Sequence, residues 1–149
     1  MAWGGLGLYN VGFSQDIPGF GTVSDSSTYF GIHAGGAANL LQLTPDLPLV
    51  AWADIAVAFA GSPFFPIGFG PGVRYDKAGP VQLVGGLGFA MMPGGGTGEV
   101  PIGLRILGMV LFPLPQAHRN LSLQGKLSYD FLNKGFHAFT FTVGAGWAL

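Results

Sequence analysis

Cysteine is absent from the 149 residues, so neither a disulfide nor a thiolate metal site supports the fold. Charge is scarce as well. Only 9% of residues are Asp, Glu, Lys or Arg, where soluble domains carry about 25%, which leaves a soluble protein little to cover its surface with. The formal net charge of −1 creates no basic field and argues against nucleic acid as a partner. Long apolar runs are missing too. A membrane-crossing helix needs about 18 or more consecutive apolar residues; the best stretches, "LVAWADIAVAFAG" and "IGLRILGMVLFPLP", are too short or are broken by charge and proline. The start, "MAWGGLGLYN", has no basic region followed by an apolar one, so no secretory leader is visible in it and an exported form would be the mature one.

Apolar residues, glycine and proline are abundant. Hydrophobic residues make up 49% of the chain and the mean hydropathy is +0.48, which excludes disorder. The 27 Gly and 11 Pro are scattered throughout and argue against long helices. One domain fits the length. Eight strand-like segments are expected, near 3–14, 28–43, 49–60, 67–76, 81–92, 101–112, 120–131 and 138–149. Most run ten to twelve residues, the length that crosses a bilayer at a tilt. The stretches between them are rich in Gly, Pro, Asn and Asp, the residues of turns.

Successive side chains of a strand point to opposite faces. One parity is apolar: Phe30, Ile32, Ala34, Ala38 and Leu40 in the second segment, Ile55, Val57 and Phe59 in the third, Leu121, Leu123, Leu127, Tyr129 and Phe131 in the seventh. In the first segment Tyr9, Val11 and Phe13 are assigned to the apolar parity, with Leu6 and Leu8 on the other through a bulge. The opposite parity is small and polar. It holds His33 and six charges, Asp54, Arg74, Asp76, Arg105, Lys126 and Asp130, three acids against three bases, while the other seven charges fall in turns. A soluble barrel reverses this arrangement. A charge-free outer face around a charge-balanced inner one describes a sheet closed in lipid, where only closure satisfies every backbone polar group. The fold class expected is therefore all-β: a closed, antiparallel, eight-stranded transmembrane barrel whose interior is filled by side chains.

On this pattern the chain resembles the small eight-stranded outer-membrane barrels of Gram-negative bacteria, such as the transmembrane domain of outer-membrane protein A and the outer-membrane protein W type. The resemblance is architectural and spans the whole chain. It implies residence in the bacterial outer membrane, both termini in the periplasm, turns 44–48, 77–80 and 113–119 on that side, and 15–27, 61–66, 93–100 and 132–137 facing outward. It implies an aromatic girdle, with Trp3, Tyr75, Phe112 and Trp147 at the periplasmic rim and Phe13, Phe30, Phe59, Tyr129 and Phe131 at the outer one. In such proteins the last strand carries an alternating signal read by the barrel-assembly machinery. Phe139, Phe141, Val143 and Trp147 fit that signal, with Leu149 in place of the usual terminal aromatic. The partners implied are membrane lipids including lipopolysaccharide, that machinery, and other envelope proteins.

Chemistry has weak candidates. His33, His118 and His137 are dispersed, and His118 precedes Ser122 by four residues without a following acid, so lipid-modifying catalysis has little support. Three scattered histidines without cysteine do not make a zinc site, and "GFGPG" and "GGLG" match no complete phosphate-binding fingerprint. No cofactor is expected. The function expected is a structural or assembly-scaffold barrel, with a narrow conduit for small or apolar solutes as the alternative and lipid modification as a weaker one. A hairpin centred near Phe64 in "GSPFFP" places Asp54 opposite Arg74, within ion-pair reach.

Overall fold

A computed structural model describes residues 1–147 except 20, 79, 97 and 115–119; the side chains of 77 and 78 fall outside the description too. Eight strands follow in chain order: β1 (Ala2–Ile17), β2 (Gly21–Thr44), β3 (Leu47–Phe59), β4 (Ile67–Ala78), β5 (Val81–Met91), β6 (Ile102–Pro113), β7 (Leu121–Leu132) and β8 (Phe136–Trp147). Each pairs antiparallel with the next, and β1 pairs with β8 from Ala2↔Trp147 to Phe13↔Phe136, so the sheet closes on itself. A single 3-10 turn, Asn133–Gly135, joins β7 to β8. No described helix is long and apolar enough to cross a membrane; strands are the only candidates to span it.

The outer surface is apolar on every strand. Ile32, Ile55, Phe89, Leu104, Leu127 and Phe141 are among many large hydrophobics that stand exposed, where a soluble monomer seldom shows contiguous apolar patches beyond a few hundred Å². In β2 a bulge at Leu40, between the pairs Asn39↔Val50 and Leu41↔Leu49, leaves both Leu40 and Leu41 facing out.

The parity expected of β1 is inverted. Leu6 and Leu8 are half exposed, while Trp3 and Tyr9 are buried inside the barrel, and there is no break in the β1–β2 or β1–β8 register that a bulge would require. Cross-strand neighbours decide the matter: Leu6 lies opposite Val143 and Leu8 opposite Phe141, both on the outward face of β8. Phe13 follows the inward parity and packs its ring 5.1 Å from Phe136 at the mouth. Trp3 and Phe13 therefore line the interior and do not belong to an outward girdle.

At the β1–β8 seam the two backbones press together. A Cβ on Gly5 would stand 2.1 Å from the Val143 carbonyl oxygen, and one on Gly144 would stand 2.1 Å from that of Gly4. Only glycine permits this close approach.

The stretch 15–27, expected as a loop, is a continuation of the sheet. β1 and β2 stay paired to Ile17↔Gly21. β8 leaves β1 after Phe13, and β3 joins β2 only from Phe30. A two-stranded ribbon thus stands clear of the barrel, turning at Pro18–Gly19 with Gly19 and Gly21 at positive φ. Its Ser, Thr and Asp residues hide the period-two signal, because neither of its faces meets a core.

Candidate functional site

Viewed along the axis, the interior has three levels. Near the termini lie Trp3, Val50, Trp52, Val84, Leu107, Met109 and Leu111. Near the long connections lie Tyr9, Ala56, Ala58, Phe64, Ala90, Met92, Leu132 and Ala138. Along β3, Asp54 falls between Trp52 of the first group and Ala56 of the second, and it marks the level of the charges.

Four charges meet there, all at most 5% exposed. Arg105 on β6 grips Asp130 on β7 with two bonds, Nε to Oδ1 at 2.6 Å and Nη2 to Oδ2 at 2.7 Å, and the two residues are directly opposed in the β6–β7 register. Its third nitrogen, Nη1, donates to Oδ1 of Asp54, and Lys126 Nζ donates to the other oxygen, Oδ2. Asp54 is shared by two cations, and the set is neutral. Charges this deep persist only when paired and hydrogen-bonded.

Arg74 and Asp76 also face inward, but they stand apart and half-buried at the terminus end. Arg74 donates to Asp76 at 2.8 Å on the same strand and to Asn39 Oδ1 at 3.2 Å. The expected Asp54–Arg74 pair does not form. Asp54 lies opposite Gly68, and Arg74 is six residues further on. The turn is centred at Gly61, because Phe64 folds back to pair with Ala58, with the Ala58 N–H donating to Phe64 O at 3.0 Å. The "SPFF" stretch therefore belongs to the returning limb of the hairpin and not to its tip.

His33 is buried on the same inward parity, opposite Gly5 and Ala56, and neither ring nitrogen has a hydrogen-bond partner among the described residues. His137 stacks on Tyr129 at 6.2 Å, and Ser122 donates to the Gly146 carbonyl at 3.2 Å. His118 lies outside the described residues. No nucleophile, base and acid come together among those described, nor does any cluster of three metal-ligating side chains.

Of the other aromatics, Tyr75, Phe112 and Trp147 face outward toward the terminus end. Phe30 and Phe59, 6.4 Å apart, and the Tyr129–Phe131 pair, 4.6 Å apart, occupy the opposite end. Phe139, Phe141 and Val143 alternate outward along β8, and Leu149 lies outside the described residues. Sequence reasoning missed Phe64, Tyr9 and Trp52 as interior residues. The signal for Tyr9 was the apolar partner set on β8; for Phe64, a turn residue, there was none.

No protein-family description matches the chain, and no curated protein is similar in sequence. Solved structures are similar in fold. Ail, the attachment invasion locus protein of Yersinia pestis, solved in complex with the heparin analogue sucrose octasulfate, aligns over 98% of this chain and 97% of its own at 14% identity and a TM-score of 0.57. Neisserial surface protein A aligns over 100% and 99% at 15% identity, also with a TM-score of 0.57. The chain has the all-β fold of the small eight-stranded outer-membrane barrels.

Proposed function

We propose that the chain resides in the bacterial outer membrane as a non-enzymatic structural or assembly-scaffold barrel. The observation that carries this reading is the filled interior. Apolar side chains occupy both ends and a neutral ion-pair set occupies the middle, as suits an eight-stranded barrel too narrow for an open lumen. The outward aromatics at the two ends suit the two interfaces of a bilayer, and the ribbon from 15 to 28 stands exposed beyond the strands that flank it. The partners of this role are bilayer lipids, lipopolysaccharide among them, other envelope proteins that meet the ribbon, and the barrel-assembly machinery, which on this reading recognises Phe139, Phe141, Val143 and Trp147.

The test is electrical. Purified protein inserted in planar bilayers is expected to leave the conductance at baseline. Discrete ion-selective steps, abolished by altering the interior charges, would replace the scaffold with a conduit.

A further inference from the structure

At the loop end the ribbon parts from the barrel wall and leaves a cleft. β8 pairs with β1 only as far as Phe13↔Phe136, so beyond Phe13 the edge of β1 has no strand beside it. The 3-10 turn between β7 and β8 takes that place. Its Asn133 Oδ1 accepts from the Ile102 N–H at 3.1 Å, and a Cβ on Gly135, at φ 79°, would stand 1.9 Å from the Ser14 carbonyl oxygen. The turn therefore sits directly against the base of the ribbon. The β5–β6 connection supplies a further wall through Glu99, whose carboxylate receives Lys134 Nζ at 2.7 Å. The space so bounded is about 670 Å³, lined by Phe13, Gln15, Asp16, Glu99, Lys134 and Phe136 among others. Small-molecule sites occupy roughly 300–1,000 Å³.

The chemistry of the cleft selects the charge of its occupant. Three acids stand at this end, Asp16 and Asp25 on the ribbon and Glu99 in the connection, against one base, Lys134; −3 and +1 leave −2. An anion is disfavoured, the more so because Lys134 is already paired. A ligand that needs a dense set of hydrogen bonds, such as a sugar, is disfavoured too. Glu99 and Lys134 are occupied with each other, and Asp16 Oδ1 accepts from Thr22 Oγ1. A calcium ion takes about six to eight oxygen ligands, and no three metal-ligating side chains converge among the described residues. What the cleft still offers is a negative field and two phenyl rings, their centroids 5.1 Å apart. An organic cation uses both, its charge through the field and its carbon atoms against the rings.

We propose that this cleft is a binding site for an organic ammonium ion, one whose nitrogen is skirted by methyl or methylene groups, as in choline. Its carbon skirt lies against Phe13 and Phe136, and Asp16 and Glu99 supply the opposing charge. Such a ligand needs no directed bond from side chains that already have partners. The cleft is open in the structure as it stands, so binding requires no strand to move. The site does not depend on the scaffold reading; the cleft stands at the mouth whether or not the barrel conducts.

The experiment is a titration in dodecyl maltoside micelles, which carry no ammonium group, with choline chloride and separately with neohexanol, its uncharged carbon isostere. The amide resonances of Ser14, Lys134 and Gly135 report the cleft, and those of the outward-facing Ala53 and Leu87 serve as controls. The expected result is saturable shifts at the first set alone. Choline should bind about 5- to 30-fold tighter than neohexanol, the factor that two exposed cation–ring contacts supply. Phe136→Leu keeps apolar bulk and should narrow that gap. Asp16→Asn, a change at an exposed position, should weaken choline and leave neohexanol unaffected. Glycerophosphocholine separates the two sources of such a group: binding equal to choline's assigns the cleft to a lipid headgroup, weaker binding to a free ammonium ion, and both keep the class. Equal affinity for choline and neohexanol overturns the proposal, as do shifts that never saturate or that sodium chloride at the same ionic strength reproduces. Should Phe136→Leu not fold, the two titrations of the wild type and of Asp16→Asn decide alone.

Discussion

Replacing Asp54 by Ala tests how the interior charges are held. In the native barrel the set sums to zero, with Asp54 and Asp130 against Arg105 and Lys126. Removing Asp54 leaves a net charge of +1. Arg105 retains both bonds to Asp130, but Lys126 loses the one carboxylate it contacts. Removing one member of a buried pair costs about 3–5 kcal/mol, since the survivor stays uncompensated. Lys126→Met alone should cost less, because Asp54 still receives Arg105. The double variant returns the interior to neutrality around the bidentate Arg105–Asp130 pair, and apolar replacement of a buried ion pair is often neutral or stabilising. Its stability is therefore expected near wild type, with a coupling above about 2 kcal/mol. Equilibrium urea unfolding in phospholipid vesicles, followed by the fluorescence of the buried Trp3 and Trp52, measures all four corners of the cycle. Single effects that add to within about 0.5 kcal/mol in the double variant would show that Asp54 and Lys126 are not coupled, and the charge-sharing account would fall.

The glycines divide by face. Gly5→Ala or Gly144→Ala should destabilise by at least about 1–3 kcal/mol through collision with carbonyl oxygens at the seam, whereas Gly85→Ala and Gly108→Ala, outward with nothing near a new Cβ, should each gain about 0.5–1 kcal/mol. The same urea titration reads both pairs. Leu127→Arg sets a charge on the outward face midway along β7 and should cost about 2–4 kcal/mol in bilayers. Leu123→Arg, nearer the strand end, should cost less, and the reverse order would misplace the hydrocarbon centre. Folded protein should run anomalously on unboiled SDS gels, shift on boiling, and give a β-type circular dichroism spectrum in detergent; a helical spectrum would end the barrel reading.

How far the sequence reaches depends on what each feature answers to. Alternation is a local property, so the strands and the outward face of β2 to β8 are legible from residues such as Phe30, Ile55, Leu104 and Phe141. In β1 both parities carry apolar side chains between glycines. Only the partner strand, with Val143 and Phe141 outward, decides that Leu6 faces out and Tyr9 in. The inward parity of Asp54, Arg105, Lys126 and Asp130 was legible for the same local reason, but their partnership was not. Asp54 reaches Arg105 and Lys126 across the lumen from β3 to β6 and β7, a contact set by closure and stagger, which hairpin arithmetic does not contain. The Asp54–Arg74 expectation failed on that arithmetic alone, through a turn misplaced from Gly61 to Phe64. Arg105 opposite Asp130 lies within a single hairpin and was within reach of it.

The glycine-lined seam between β1 and β8 also bears on the order in which the sheet is made. Every other junction joins neighbours in sequence, but the seam brings Ala2 to Trp147, and closing a loop of that length costs roughly 2–3 kcal/mol more in chain entropy than closing a hairpin. Such pairing forms last, after local hairpins have offset their own losses. Where Gly5 meets Gly144 there are no inward side chains to seize one another, so that part of the seam zips by backbone bonds and by the outward contacts Leu6–Val143 and Leu8–Phe141, and the inward Phe13–Phe136 pair closes it at the mouth. A chain stalled one step short is an eight-stranded sheet with two bare edges, the form most ready to pair with a neighbour instead of with itself.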